Sequence, residues 1–334
     1  MQYIEKESHI YNFNHPKKTP LMIMLCGLPG SGKSTYADSI RCNGERPIIH
    51  SSDEMRKKLY NDESCQEDNA KVFQRLHKEI KEDLILGKDV VYDATNINKK
   101  KRIAFLESIQ NINCEKICVV IATTLDACLF NNRCRSRVVP EEAIKRMYRS
   151  WTPPHYSEGF TRIVYHFSYL DQDRIVPYDS SKKYVAANYF KTANSYDQEN
   201  EHHSLSLGDH ITKAGAYIQE KEPDNIDLLI AALLHDIGKL YTKTRTNHRG
   251  EFDGNCHYYQ HESVGSYEGM FLLHTAGNFF DDEITHIVNL IYYHMRPYMS
   301  WKQSHKARER DKAILGEEMF NEIMTLHEAD MYAH

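Results

Sequence analysis

Apolar residues gather along the first half of the chain in short continuous runs: LMIMLC at 21–26, PIIHS at 47–51, DVVYDA at 89–94, KICVVIA at 116–122 and RIVYHF at 162–167. Charged stretches of helical character separate them. Strands that are apolar on both faces are covered on both faces, and their alternation with helices predicts a doubly wound, parallel α/β sheet. From 171 to 200 the pattern breaks into a polar, Tyr-rich stretch, DQDRIVPYDSSKKYVAANYFKTANSYDQEN. Beyond it only amphipathic helical runs occur, so the second half reads all-α. The expected organisation is an N-terminal extension over 1–20, an α/β domain over 21–175, a linker over 176–200 and a helical domain over 201–334.

Composition narrows this picture. A chain of 334 residues exceeds what one core usually organises, in keeping with two domains. No apolar run approaches the roughly 18 residues that span a bilayer, and the start MQYIEKESHIYNFNHPKK is too polar and acidic for a secretory signal, so a cytosolic protein without a membrane segment is expected. The eight cysteines show no C-x-x-C spacing, which excludes a zinc knuckle and gives no disulfide framework. A net charge of −5 excludes a protein that coats polyanions, so nucleic-acid contact requires a local basic patch. The 19 histidines concentrate after about position 200 and point to a metal site there.

Directly after the first strand, GLPGSGKST fits G-x-x-x-x-G-K-[ST] at Gly27, Gly32, Lys33 and Ser34. The glycines allow a tight turn whose N–H groups face phosphate oxygens, and the following helix adds its positive end. This assigns ATP to the loop, with Gly30 and Thr35 in the same cradle, Lys33 at the β and γ phosphates and Ser34 at Mg²⁺. The second strand leads into HSSDEMRKKL, which sets Asp53 and Arg56 at the carboxyl edge of the sheet, where open α/β folds bind ligands. Asp53 suits a general base for phosphoryl transfer and equally a helix N-cap. The third strand closes on YDATN, with Asp93, Thr95 and Asn96 beside the loop. Asp93 there reaches Mg²⁺ through water, or the group simply forms a turn.

The segment NNRCRSRVVPEEAIKRMYR, residues 131–149, sets six basic residues (Arg133, Arg135, Arg137, Lys145, Arg146, Arg149) against Glu141 and Glu142. It reads as a lid whose arginines neutralise the transferring phosphoryl group, or as a solvated basic face. The P-loop, the D-x-x-R of Asp53 and Arg56, the D-x-T-N of Asp93 to Asn96 and the Arg-rich lid together resemble the polynucleotide 5′-kinase family over residues 21–170. The resemblance implies Asp53 as the base for a 5′-hydroxyl, Arg56 as a contact to the acceptor's 3′ phosphate, and Arg133 and Arg137 as the clamp on ATP. Arg135 fits either clamp position.

In the second half, LLIAALLHDIGKL is an apolar helix ending on adjacent His235 and Asp236. His210, His294 and Asp330 each continue an apolar stripe at helical spacing, and a polar group on such a stripe requires a buried partner. Any one of them alone reads as a satisfied core residue. The order His210, His235–Asp236, His261, His294, Asp330 resembles the ligand set of HD phosphohydrolases that bind two metals, over residues 200–334. The set implies one or two divalent ions, a single ion being held without His261 and His294, and imidazole with carboxylate suits Mn, Fe, Ni, Co or Zn. Lys239 is placed to hold a substrate phosphate or to complement a helix dipole. His202, His203 and His327 remain over, and His327 competes with Asp330 for the inward position.

The two resemblances together imply an α/β P-loop NTPase domain followed by an all-α HD domain, in a bifunctional enzyme that heals nucleic-acid ends. One half phosphorylates a 5′-hydroxyl; the other removes a 3′ phosphate or opens a 2′,3′-cyclic phosphate on RNA or DNA. The alternative is a nucleoside or nucleotide kinase fused to an HD nucleotide phosphohydrolase. The Arg-rich segment and KKKR at 99–102 favour a polynucleotide, whereas the net negative charge favours the small molecule.

Overall fold

The first-half pattern resolves into strands Tyr11–Phe13 (β1), Leu21–Cys26 (β2), Ile40–Cys42 (β3), Ile48–Ser51 (β4), Val90–Asp93 (β5), Glu115–Ala122 (β6) and Arg162–Phe167 (β7). The computed structural model describes residues 10–16, 19–65, 67–167, 182–199, 205–277 and 279–334. Five strands form a sheet of order β4-β5-β2-β6-β7, every neighbouring pair parallel. Each matches one of the five apolar runs. β2 is buried at all its positions, as a central strand covered on both faces must be. Two three-residue strands, β1 and β3, pair separately in parallel and are too short to show an alternation. One of them lies in the stretch expected to be a mere N-terminal extension.

Helices Lys33–Ser39 (α1), Ser52–Tyr60 (α2), Asn69–Ile85 (α3), Lys99–Ser108 (α4) and Leu125–Arg133 (α5) accompany the sheet, and Glu141–Arg149 (α6) runs from the first compact unit into the second. Because the strands are parallel, the chain leaves β2, β4 and β5 at one edge, where it turns into the P-loop, into α2 and into the Asp93–Asn96 corner.

The described residues divide between two compact units, the first within Met1–Ile144 and Glu158–Leu170, the second within Lys145–Ser157 and Asp171–His334. The second unit is helical: Lys182–Asn194 (α7), Leu207–Lys221 (α8), Ile226–Leu234 (α9), Lys239–Thr242 (α10), His261–Ala276 (α11), Asp281–Tyr293 (α12), His305–Leu315 (α13) and Glu317–Ala333 (α14). Its β structure, among the described residues, is a single bridge between Thr244 and His257. α7 replaces part of the irregular linker expected over 176–200. Tyr189 and Ala193, one turn apart on it, are buried, and Tyr189 donates to the Leu233 carbonyl at 3.0 Å. Residues 176–181 and 200 of that linker, and His202 and His203 beyond it, lie outside the described residues.

Residues Lys145–Ser157 pack within the second unit. The Tyr148 hydroxyl donates to Glu268 Oε1 at 2.6 Å, the Trp151 ring meets Tyr267 edge-on at 5.2 Å, and Asn289 donates to the Pro154 carbonyl at 3.0 Å. The lid expected from 131 to 149 is therefore not one body: its second half belongs with the helical unit.

Inside the first unit, Arg102 closes a bidentate pair with Glu158, both contacts at 2.7 Å and both side chains 0% exposed, and donates to the Asn96 carbonyl at 3.0 Å. Burial opposes a charge on Arg102, but Glu158 holds the guanidinium above its ordinary value. Arg102 thus ties the start of β7 to the Asp93–Asn96 corner and is not part of a basic surface. Removing one partner of such a pair strands the other charge, at a cost of about 3–5 kcal/mol. Glu158→Gln should lower the thermal midpoint of the first unit, and Arg102→Met with Glu158→Leu should recover most of the loss. A double variant no more stable than the single would contradict this role.

Candidate functional sites

The P-loop owes its shape to glycines at positive φ. Gly30 has φ 81°, and a Cβ there would stand 2.2 Å from the Cys128 carbonyl oxygen, so no larger residue fits. The loop is pinned from both sides: Gly27 N–H donates to the Thr95 carbonyl at 2.9 Å, Thr123 donates to the Ser31 carbonyl at 2.9 Å, and Asn131 donates to the Gly30 carbonyl at 2.8 Å. Gly32, at φ 92°, precedes α1. The Lys33 ammonium is buried and donates to the Leu28 carbonyl at 2.7 Å and to Ser31 Oγ at 3.4 Å. Burial pushes its pKa down.

Ser34 and Thr35 are exposed at the start of α1, and Ser34 Oγ donates to Asp93 Oδ2 at 2.8 Å. Burial pushes the Asp93 carboxyl up, against the nearby Lys33 and the Ser34 hydrogen bond. A hydroxyl and a carboxyl side by side at the mouth of the loop are oxygen donors of the kind a hard divalent ion prefers. Asn96 has a different task. At φ 46° it turns its side chain back to donate to the Leu25 carbonyl at 2.8 Å, locking the ends of β2 and β5 together.

Asp53 is not the N-cap of α2; the Ser51 side chain accepts from Asp53 N instead, which leaves the carboxylate available. Three guanidiniums face it. Arg56 Nη1 lies at 2.9 Å from Asp53 Oδ1, Arg137 pairs with the same oxygen, and Arg135 Nη2 lies 3.7 Å from Oδ2. Arg56 also donates to Asn69 Oδ1 at 2.8 Å. Arg133 is not in this group: it is exposed and pairs with Glu141 at 2.7 Å. Lys145, Arg146 and Arg149 lie in the other unit.

In the helical unit the chemistry sits where helices end. His235 and His294 are the C-cap residues of α9 and α12, and His261 opens α11. Each Nδ1 meets the carbonyl three residues earlier: Ala232 at 2.8 Å, Ile291 at 2.6 Å and Tyr258 at 2.8 Å. A carbonyl only accepts, so each Nδ1 carries a proton and Nε2 is the nitrogen that would present a lone pair to an ion, on His235 once the proton held there is displaced. α10 and α11 approach closely because residue 238 is glycine. A Cβ there would stand 1.9 Å from the His261 carbonyl oxygen.

Two trios result, His210 with His235 and Asp330, and Asp236 with His261 and His294, each with its donor atoms within 4.8 Å of one another. Asp236 serves both. Its Oδ2 lies 3.4 Å from His210 Nε2 and 3.4 Å from His235 Nε2, while its Oδ1 lies 3.3 Å from His261 Nε2 and 3.9 Å from His294 Nε2. Asp330 Oδ1 adds contacts of 3.1 Å to His210 and 3.6 Å to His235.

Burial alone would raise the Asp236 carboxyl, but Lys239 and His235 hold it well below the usual carboxylate range. Burial likewise opposes a proton on His235, yet Asp236 and Asp330 lift it to about 10. His294, buried and facing His261 and His235, falls to about 3 and stays neutral. The pocket thus draws positive charge onto itself, and the carboxylates that hold a proton on His235 would hold a cation in its place. Four imidazoles and two carboxylates fit a pair of divalent ions.

Around this core the structure sets Lys239, which the sequence singled out, and two residues that it did not, Gln198 and His334. Lys239 Nζ binds Asp236 Oδ2 at 2.7 Å and donates to Gln198 Oε1 at 2.8 Å. Gln198 is a lone polar residue in a polar stretch, so nothing marked it. His334 Nε2 stands 3.5 Å from Asp330 Oδ1, at the i+4 spacing that could have found it. His327 is in neither trio; its ring packs edge-on at 4.3 Å against Tyr298.

Comparison with known proteins finds one family model in each half of the chain, the first running on to residue 154. Residues 22–154 match the family described as AAA domain, and residues 200–333 match the HD domain. The chain therefore carries a P-loop kinase-like domain followed by an HD metal-dependent phosphohydrolase domain, and is an enzyme with a kinase and a hydrolase part. Among solved structures, a putative kinase from Chloroflexus aurantiacus is 14% identical, covering 47% of this chain and 90% of its own, with a TM-score of 0.36. A gluconokinase from Sinorhizobium meliloti is 17% identical, covering 48% and 89%, with a TM-score of 0.34. No curated protein matches. Among the described residues, no helix is long and apolar enough to cross a membrane.

Because Asp236 faces both trios while each histidine faces one, metal content should respond unequally. By elemental analysis of purified protein, Asp236→Ala should lose both ions and His261→Ala or His210→Ala one each, with affinity at the altered site falling at least about 10–100-fold. Equal losses from all three variants would contradict the shared carboxylate.

Proposed function

We propose that the chain is a bifunctional nucleic-acid end-healing enzyme. Its first unit transfers the γ-phosphoryl group of ATP to a 5′-hydroxyl, and its second removes phosphate from a 3′ or 2′,3′-cyclic end. The observation that carries the kinase reading is the surplus of charge at Asp53, where Arg56, Arg135 and Arg137 bring three guanidiniums to one carboxylate. An acceptor consisting of a neutral hydroxyl alone needs no such surplus; one that carries a phosphate next to its sugar does. Asp53 takes the proton from the attacking hydroxyl, Arg56 holds the neighbouring phosphate of the acceptor, and Arg135 and Arg137 neutralise the transferring group. Lys33 would leave its loop carbonyl for the β and γ phosphates, and Ser34 with Asp93 would hold Mg²⁺.

In the second unit, His210, His235, Asp236, His261, His294 and Asp330 would hold the divalent ions, which supply activation of water and neutralisation of the departing oxygen. Lys239 keeps Asp236 ionised and oriented between the two trios. Buried walls exclude bulk water and strengthen every charge interaction inside.

A second reading, a small-molecule kinase with a nucleotide phosphohydrolase, draws support from Arg102. This residue closes the basic run KKKR, yet it is buried against Glu158 and offers nothing to a polyanion. The two readings part when labelled ATP is offered with a 5′-hydroxyl oligonucleotide or with free nucleosides. Transfer to the oligonucleotide is expected, and transfer to nucleosides alone would overturn the end-healing reading. In the same assays Asp53→Ala should lower kinase kcat at least about 100-fold, the contribution of a general base, and leave phosphate release intact. Asp236→Ala should do the reverse.

A further inference from the structure

The helical unit carries a cavity of about 250 Å³ lined by Arg149, Lys243, Asn247, His248, Tyr259 and Gln260 together with threonines. No acidic side chain lines it. Its volume is below the roughly 300 Å³ at which pockets begin to enclose whole drug-sized ligands, and suits one nucleotide fragment. The walls are fixed to the elements that build the centre. Gln260 immediately precedes His261, and at φ 64° it turns the chain into α11. Thr242 donates to the Gly238 carbonyl at 2.9 Å and ends α10, the turn that begins with Lys239. Arg149 directly follows Tyr148, which is anchored on α11 through Glu268.

Charge and shape agree on the occupant. The Lys243 ammonium is compensated by Glu199 at 2.7 Å, but the Arg149 guanidinium makes no hydrogen bond or ion pair among the described residues. The Tyr259 ring packs against His248, with centroids 3.7 Å apart, and stacks with His257 at 5.3 Å and 7°. A cation beside a rigid aromatic wall is the combination that holds a phosphate and the sugar or base attached to it.

Resting on the end-healing reading above, we infer that this cavity is a phosphodiester subsite. It binds the internucleotide phosphate one residue inward from the end being dephosphorylated, with Arg149 as its principal cation. Arg149, in a segment that the sequence ties to the kinase, thereby sets the substrate preference of the hydrolase.

The test compares three substrates on the holoenzyme: p-nitrophenyl phosphate, a nucleoside 3′-monophosphate, and a dinucleotide with a 3′ phosphate, which adds one phosphodiester. The wild type should show a KM about tenfold lower for the dinucleotide than for the mononucleotide, the worth of one charge-assisted hydrogen bond. Arg149→Ala should abolish that gap by raising the dinucleotide KM about tenfold, with kcat, metal content and p-nitrophenyl phosphate hydrolysis unchanged. Arg149→Lys should restore part of it. Persistence of the gap in Arg149→Ala, or an equal loss on all three substrates, would overturn the subsite and leave the end-healing reading intact. A wild type that cleaves p-nitrophenyl phosphate but neither nucleotide substrate would overturn that reading itself.

Discussion

The helical unit is built around one expensive act, the burial of two carboxylates with four imidazoles. Their side chains are 0% to 9% exposed, and isolated charges so placed cost several kcal/mol each. The arrangement holds because Asp236 is shared. One oxygen meets His210, His235 and Lys239, and the other meets His261 and His294, so that four helix ends must converge on a single carboxylate. Gly238 is what lets α10 and α11 close to that distance, and the carbonyls of Ala232, Tyr258 and Ile291 fix which nitrogen each ring presents. Change any of these and the remaining donors face an uncompensated charge.

The first unit solves a different problem, presenting backbone amides and side chains at the edge of a sheet, with Lys33, Asp93 and the Arg102–Glu158 pair among its buried charges. Parallel strands deliver the P-loop, Asp53 and Asp93 to the same edge, and Asn96, Thr95 and the Arg102–Glu158 pair hold that edge in register. The strand core needs no polar group. The candidate site residues therefore stand where the chain leaves the sheet, and Asp53 is the position with surplus positive charge around it.

Much of this was legible in the sequence because the signals repeat with a fixed period. Five apolar runs gave five strands, the P-loop motif carries its own backbone chemistry, and His210, His294 and Asp330 stand out as polar interruptions of apolar stripes. The remainder depends on tertiary contact. No spacing rule tells that Arg133 turns out to Glu141 while Arg135 turns in to Asp53, because Arg133 ends α5 and Arg135 and Arg137 follow in an irregular stretch without a face. Arg102 looked like surface charge, since its burial rests on a glutamate 56 residues away. The segment Lys145–Ser157 read as a continuation of the lid, and only Tyr148 and Trp151, packed on Glu268 and Tyr267, reveal that it belongs to the helical unit. Gln198 gave no signal at all.

In the proposed centre Asp236 lies between two metal positions, one held with His210, His235 and Asp330 and the other with His261 and His294. Crystals grown with Mn²⁺ and measured for anomalous scattering would settle it most directly. Two peaks are predicted, one on each side of the Asp236 carboxylate, with each oxygen directed at its own ion. A peak away from the six donors, or none in a crystal saturated with metal, would contradict the account.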